Sequence, residues 1–368
     1  MVRHSVVVRL DNAGDVLLAG PAVRAVAAGS DRVTLLVGPA GEAAARLLPG
    51  VDDVLVWRCP WIDPAPPPVE REDVERLVGL LRSLRADRAL VLTSFHQSPL
   101  PTALLLRLAG IPWVGAISED YPGALLDLRH RLPEHLPEDL PEAERARSLA
   151  EAAGFALPPG DDGRLALRGP LPAAPVPVGG EPYVVLHPGT SVPARAWPAQ
   201  RYAEVCRLLL AAGHPVLVTG GPSERALTAE VVADSGAVDL GGRTCLAELA
   251  AVLAGAGVVV VGNTGPAHLA AAVGTPVVSL FAPTVPAGRW RPYRVPTVLL
   301  GDQHAVCRGS RVTRCPHPGH PCLTSVTAAD VLVAVTELLG TRTPARPPAR
   351  PPARPSARDD LATSGGGR

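Results

Sequence analysis

Four short stretches of this 368-residue chain set polar or charged side chains beside glycine directly after an apolar run. They are "LDNAGD" (10–15), "LHPGTSVPARAWP" (186–198), "VTGGPSER" (218–225) and "VVGNTGPAHLAAAVG" (260–274). Each reads as the exit of a strand, the place where open parallel sheets hold ligands. In the first, Asp15 stands just ahead of a helical run. Two roles suit it: an N-cap whose carboxylate accepts backbone N–H groups, or a general base facing a cleft, which partial desolvation by a substrate would favour. In the second, the hydroxyls of Thr190 and Ser191 beside Gly189, with the Arg195 guanidinium downstream, suit a pyrophosphate; the bland alternative is a solvated Ser/Thr/Gly loop. In the third, Glu224 falls in a first helical turn, either as a charge favourable to the dipole or as an acceptor for ribose hydroxyls.

The fourth stretch has the most specific content. Pro266 suits the first helical position, which makes Gly265 the expected cap and leaves backbone N–H groups aimed out of the sheet end, a ready anion site. His268 then lies in the first turn, where the dipole disfavours imidazolium unless a negative ligand is bound. Ala270, Ala271 and Ala272 let that helix run close to a sheet.

The elements that must position these loops follow from the pattern of the chain. Apolar runs such as "SVVVRL", "RVTLLVG", "DDVLVW" and "RALVLTS" alternate with helical patterns at 15–28, 42–48, 69–85, 100–108 and 141–154. The alternation restarts with "YVVLHPG" and continues through "HPVLVTGG", "AVDLGG", "GVVVVGN" and "TPVVSLF", with helices expected over 198–212, 223–235, 246–254 and 266–273. Continuous apolar strands between helices imply parallel sheets covered on both faces. The expected organisation is an α/β domain over 1–157, a Pro/Gly-rich linker over 158–182, a second α/β domain over 183–340, and a polyproline-like, disordered tail over 341–368 that repeats Pro-Ala-Arg-Pro.

Composition removes several alternatives. Acidic and basic residues balance at 35 each, so charge gives no sign of a nucleic-acid partner. Every basic residue is arginine; without lysine, Schiff-base chemistry and the Gly-Lys-Ser/Thr phosphate loop are excluded. No Gly-x-Gly-x-x-Gly run occurs, which argues against a dinucleotide-dependent dehydrogenase. A strand pattern begins within a few residues of the N-terminus, leaving no room for a signal peptide, and the apolar run 249–262 is shorter than the roughly 18 residues a membrane span needs. A cytoplasmic protein is expected, its six cysteines reduced. Three of them, Cys307, Cys315 and Cys322, lie near His304, His317 and His320, but no tight Cys-x-x-Cys pair is present; reduced thiols are the expectation over a zinc site.

Taken together, "RLDNAGDVLLAGPAVRAV", "HPGTSVPARAWP", "GGPSER" and "NTGPAHLAAAVGTPVVSLFAPT" resemble glycosyltransferase family 9, the heptosyltransferases, in order and spacing across roughly residues 5–340. The resemblance implies a GT-B fold, two Rossmann-like domains whose parallel sheets face a central cleft. It implies metal-independent, inverting transfer of a sugar from a nucleotide donor, commonly ADP-heptose, with no cofactor. The N-terminal domain would take a glycan, glycolipid or small-molecule acceptor and the C-terminal domain the donor. The final helix, 326–339, would pack back on the first domain, and a lipid-linked acceptor would place the enzyme at the inner face of the cytoplasmic membrane. Asp15 matches the general base. Thr190, Ser191 and Arg195 match contacts to the donor phosphates, Glu224 the acid at the ribose, and Asn263, Thr264, Gly265 and His268 the run lining diphosphate and sugar. Arg195 stands where the family often has lysine, and Asn263 replaces a frequent aspartate, removing a charge beside the donor sugar. Two rival readings are a nucleotide-sugar epimerase or hydrolase of the same fold, and a non-catalytic nucleotide-sugar-binding protein.

Overall fold

A computed structural model describes residues 2–132, 139–175 and 182–340; the expected tail, 341–368, lies outside them. The strands of the first half are β1 (Val2–Arg9), β2 (Ser30–Val37), β3 (Asp53–Val56), β4 (Arg88–Val91), β5 (Trp113–Ile117) and β6 (Leu128–His130). Those of the second are β7 (Tyr183–His187), β8 (Val216–Gly220), β9 (Val238–Gly241), β10 (Ala256–Gly262), β11 (Val277–Leu280) and β12 (Thr297–Leu300). They form two six-stranded sheets, ordered β3-β2-β1-β4-β5-β6 and β12-β11-β10-β7-β8-β9, with every pairing parallel. Read from its own first strand, each sheet has the same doubly wound order, so its connections reverse between β1 and β4 in one and between β7 and β10 in the other. Val6, Val7 and Val8 pair with Thr34, Leu35 and Leu36 on one side and with Ala89, Leu90 and Val91 on the other. A strand hydrogen-bonded on both edges and helix-covered on both faces favours apolar side chains on both faces, which is why the run Val6–Val8 does not alternate.

Three local readings need correction. The helical run expected over 15–28 is two helices, Ala13–Leu18 and Gly20–Ala28. Pro21 lacks the N–H that would bond back into the preceding turn, and its ring crowds the residue before it. The first helix starts earlier than expected, so Asn12 is the cap and Asp15 lies inside the first turn. Likewise Thr264, not Gly265, caps the helix Gly265–Ala272, with Pro266 in its second position.

The stretch read as a linker is no free spacer where it is described. Arg24 grips Asp161 through Nε and Nη2 at 2.6 and 2.9 Å, Arg168 N–H donates to the Leu47 carbonyl, and Leu165 and Leu167 are buried. The last helix, Ala328–Gly340, does not turn back to the first half. Its stripe of Val331, Ala334, Val335 and Leu338 is buried in one cluster with Val258, Val260, Val278 and Leu280 of the second sheet. The apolar stripe demands a covered face, and the nearest uncovered sheet is its own. Residues 289–294 do reach across: Arg289 meets Glu142 and Tyr293 Oη donates to Glu144 of the first half, and Arg294 donates to the Asp162 carbonyl of the segment between the halves. The largest core cluster is continuous across both halves, from Val7 and Val23 to Val259 and Leu269. Among the described residues no helix is long and apolar enough to cross a membrane.

Candidate functional site

The four chemistry-bearing loops leave β1, β7, β8 and β10, and three of those strands flank the two topological reversals. Their chemistry begins with a charge at a strand end. Arg9, the last residue of β1, is 3% exposed and spreads its three guanidinium nitrogens over three carboxylates. Nε stands 3.0 Å from Asp11, Nη2 3.0 Å from Asp15 and Nη1 3.8 Å from Glu142. Nη2 also donates to Ser94 Oγ at 2.9 Å, and Gln97 of the β4 exit donates to Asp11 at 2.6 Å. Burial raises the pKa of Asp11 and of Glu142, against which the Arg9 charge acts. Trp290, from the second half, donates its indole N–H to Asp15 Oδ1 at 3.4 Å.

Asp15 is brought to the second half by a glycine. A Cβ on Gly14 would lie 2.9 Å from His268 Cδ2 and 3.2 Å from Gly265 Cα, closer than packed atoms allow. With only hydrogens at Gly14, the starts of the helices Ala13–Leu18 and Gly265–Ala272 meet, and Asp15 faces His268 across the cleft. The His268 imidazole is 4% exposed, and its pKa is pushed down to about 4, burial outweighing the Asp15 charge. It is a neutral ring.

Around this helix start, buried polar atoms lack protein partners. Among the described residues Arg195 Nε, Asn263 Nδ2, Thr264 Oγ1 and His268 Nδ1 are all buried and make no hydrogen bond. The cap residue itself makes no side-chain bond to its helix. Buried polar groups are nearly always satisfied, so several orphans converging on one helix terminus mark a place built for a polar ligand. The Arg195 guanidinium reaches the same spot, donating to the Asn263 carbonyl at 3.4 Å; burial lowers its pKa, opposed by Asp15 and reinforced by the positive charge of Arg311.

The remaining expected residues are placed differently. Thr190 uses its hydroxyl within its own turn, accepting from Val192 N–H at 3.2 Å, and Ser191 is exposed. Glu224 closes a short turn, Pro222–Glu224, and caps it by accepting the Gly221 N–H at 2.7 Å. The same carboxylate presses on Gly189, where any Cβ would collide with it, and stands 3.9 Å from His187 Nε2. We expect Gly189→Ala to push Glu224 off Gly221 and lose about 1 kcal/mol of capping, read as a lowered midpoint in urea; a variant as stable as wild type would mean the carboxylate relocates freely.

Several residues of the site escaped sequence reading: Arg9, His96, Glu142, Trp290 and Arg311. Arg9 alone carried a signal, a charge closing the apolar run Val6–Val8 at the end of β1. His96, at the β4 exit, has its pKa pushed down to about 4 by desolvation and by Arg311. The six cysteines are free thiols, and no group of three or more metal-ligating side chains is assembled among the described residues.

Residues 74–319 match the model of glycosyltransferase family 9 (heptosyltransferase). Lipopolysaccharide heptosyltransferase 3 of Escherichia coli is 30% identical over 171 residues, 45% of this chain and 49% of that protein, so the match spans about half the length of this curated relative. The fold is shared with a family 9 glycosyltransferase of Veillonella parvula, with TM-score 0.72 and 19% identity over 92% of this chain and 98% of that one. It is shared also with the ADP-heptose LPS heptosyltransferase II of E. coli, with TM-score 0.68 and 21% identity over 91% and 98%. These structural likenesses establish two GT-B sheets. With the family model covering most of the chain and the strand-exit motifs gathered in one cleft, the protein belongs to glycosyltransferase family 9, the heptosyltransferases.

Proposed function

We propose that this protein is an inverting glycosyltransferase that moves a sugar, heptose from ADP-heptose, to a hydroxyl of a glycan, glycolipid or small-molecule acceptor, with Asp15 as general base. The observation that carries this reading is the set of partnerless polar atoms on Arg195, Asn263, Thr264 and His268 at one helix start, with Asp15 delivered opposite them. The donor's diphosphate belongs at that helix start, where the dipole favours negative charge and Arg195 supplies a cation. Glu224 accepts the ribose hydroxyls, while Gly265 keeps the helix start open for close approach. Thr190 and Ser191 line the phosphate side of the loop after β7, and Asn263 faces the sugar.

In the reaction, Asp15 takes the proton from the acceptor hydroxyl as that oxygen attacks the anomeric carbon on the face opposite the diphosphate. The bond from carbon to the phosphate oxygen breaks, and its electron pair leaves with the nucleoside diphosphate. Arg195, the helix start and the neutral His268 hold the charge that develops there. This chemistry invokes no metal and no cofactor. The enzyme would work in the cytoplasm, meeting a lipid-linked acceptor at the inner face of the membrane.

The test is a thermal-shift and calorimetric panel of ADP-, GDP-, UDP- and CDP-sugars that includes ADP-heptose, followed by transfer from the stabilising donor to an acceptor extract. Stabilisation by ADP-heptose and a product of inverted anomeric configuration are expected. Donor consumption without acceptor would make the protein a hydrolase or epimerase, and binding without turnover a non-catalytic receptor.

A further inference from the structure

We propose that Arg311, held over the cleft by the loop between Cys307 and Cys315, is a second cation for the donor's diphosphate, acting together with Arg195. The proposal rests on the donor reading above and adds to it a residue from the cysteine loop, which that reading leaves without a role.

The loop is tied down at three points. Gly309 N–H donates to the Pro283 carbonyl at 2.8 Å, Arg311 N–H to the Thr284 carbonyl at 2.8 Å, and Ala194 N–H to the Thr313 carbonyl at 3.0 Å. Pro283 and Thr284 follow β11, and Ala194 directly precedes Arg195. The loop therefore bridges two strand exits of the second half and lies beside the partnerless atoms of the donor site. Arg311 has φ +59°, a left-handed backbone that costs an arginine roughly 1–2 kcal/mol and is held by those flanking bonds. Its guanidinium lies 5.8 Å from the Phe95 ring centroid, reaching the first half, while Arg289 lies 4.4 Å from the same centroid.

What Arg311 lacks is an anion. Among the described residues its side chain makes no ion pair with a carboxylate, and neither does that of Arg195, yet the two positive charges are close enough to repel one another. Thr284, whose carbonyl anchors Arg311, is 1% exposed and has a hydroxyl without a partner. Two neighbouring guanidiniums, neither in an ion pair and with Asp15 the one carboxylate whose charge reaches Arg195, are matched by a ligand carrying more than one negative group. A diphosphate meets that condition and a neutral sugar does not.

The experiment is calorimetry on the full chain with ADP, GDP, UDP and CDP, and with the monophosphate of whichever binds best. Arg311→Gly removes the guanidinium while suiting the left-handed backbone, and Arg311→Gln removes it at equal bulk. Both should weaken the diphosphate about tenfold or more and the monophosphate much less, since a lost charge-assisted contact is worth about that factor. Arg311→Lys should fall between them and the wild type. If the wild type binds a diphosphate and both variants bind it equally well, the proposal is wrong and the donor reading stands. If the wild type binds none of the four, the donor reading fails and takes the proposal with it.

Discussion

Asp15→Asn is expected to lower kcat by about 10²- to 10⁴-fold, the range for removing a general base, while the affinity for the nucleotide-sugar donor changes little. The substitution keeps the shape of the side chain and its ability to accept from Arg9 Nη2 and Trp290 Nε1, both bonded to Asp15 Oδ1. What it removes is the capacity to take a proton as the acceptor oxygen attacks. An interaction made only in the transition state shows itself in kcat, so donor binding by calorimetry and turnover at saturating donor separate the two effects. Neither histidine nearby is a ready substitute base for the lost carboxylate, because the pKa values of His96 and His268 are pushed down to about 4. A poorly basic imidazole gives little driving force for proton transfer from a hydroxyl. Transfer at near wild-type rate by Asp15→Asn would remove Asp15 from the mechanism and leave the family assignment untouched.

The prominence of Asp15 in the sequence, and the obscurity of its partners, has a physical cause. Strand exits are local: "SVVVRL" and "GVVVVGN" announce buried parallel strands, and the glycine, hydroxyl and histidine residues that follow them are within a few residues of the strand end. The doubly wound order then gathers those exits without further instruction. Glu142 and Trp290 enter by another route. Glu142 opens a helix with no motif to mark it and meets Arg9 only through packing within the first half, while Trp290 sits in a segment with no strand or glycine motif and reaches Asp15 only because the halves dock through Gly14 and residues 289–294. The last helix shows the same limit from the other side. Its apolar stripe required burial, but only the assembled sheets decide that β10 and β11, and not the first half, provide the cover. Helix boundaries shifted by one to three residues turned Asp15 from a cap into a first-turn residue, which releases its carboxylate from backbone N–H groups and gives it to Arg9.

Arg9→Met is expected to cost about 3–5 kcal/mol of stability, the scale for leaving buried charge uncompensated. Asp11, Asp15 and Glu142 converge on three different nitrogens of one guanidinium, so the methionine would leave three carboxylates facing one another. Arg145 and Arg289 offset Glu142, but neither charge figures in the environment of Asp11. The sign of the pH dependence follows. Asp11 and Glu142 already have pKa values raised by burial, so the folded state holds protons that the unfolded state releases, and stability from these groups falls as pH rises. Without Arg9 both shift further upward. The gap in stability between wild type and variant should therefore be widest near neutral pH, where Asp11 and Glu142 are ionised in the unfolded chain, and should narrow as pH falls and these two protonate in the folded one. Thermal melts of both proteins at pH 7.5 and pH 5 read this directly. Arg9→Lys restores the charge but offers one ammonium where the fork spans three partners, so it should recover part of the stability and less of the activity. Equal melting temperatures for wild type and Arg9→Met at neutral pH would show that the three carboxylates do not depend on Arg9, and would remove the basis for treating it as the residue that holds Asp15 in place.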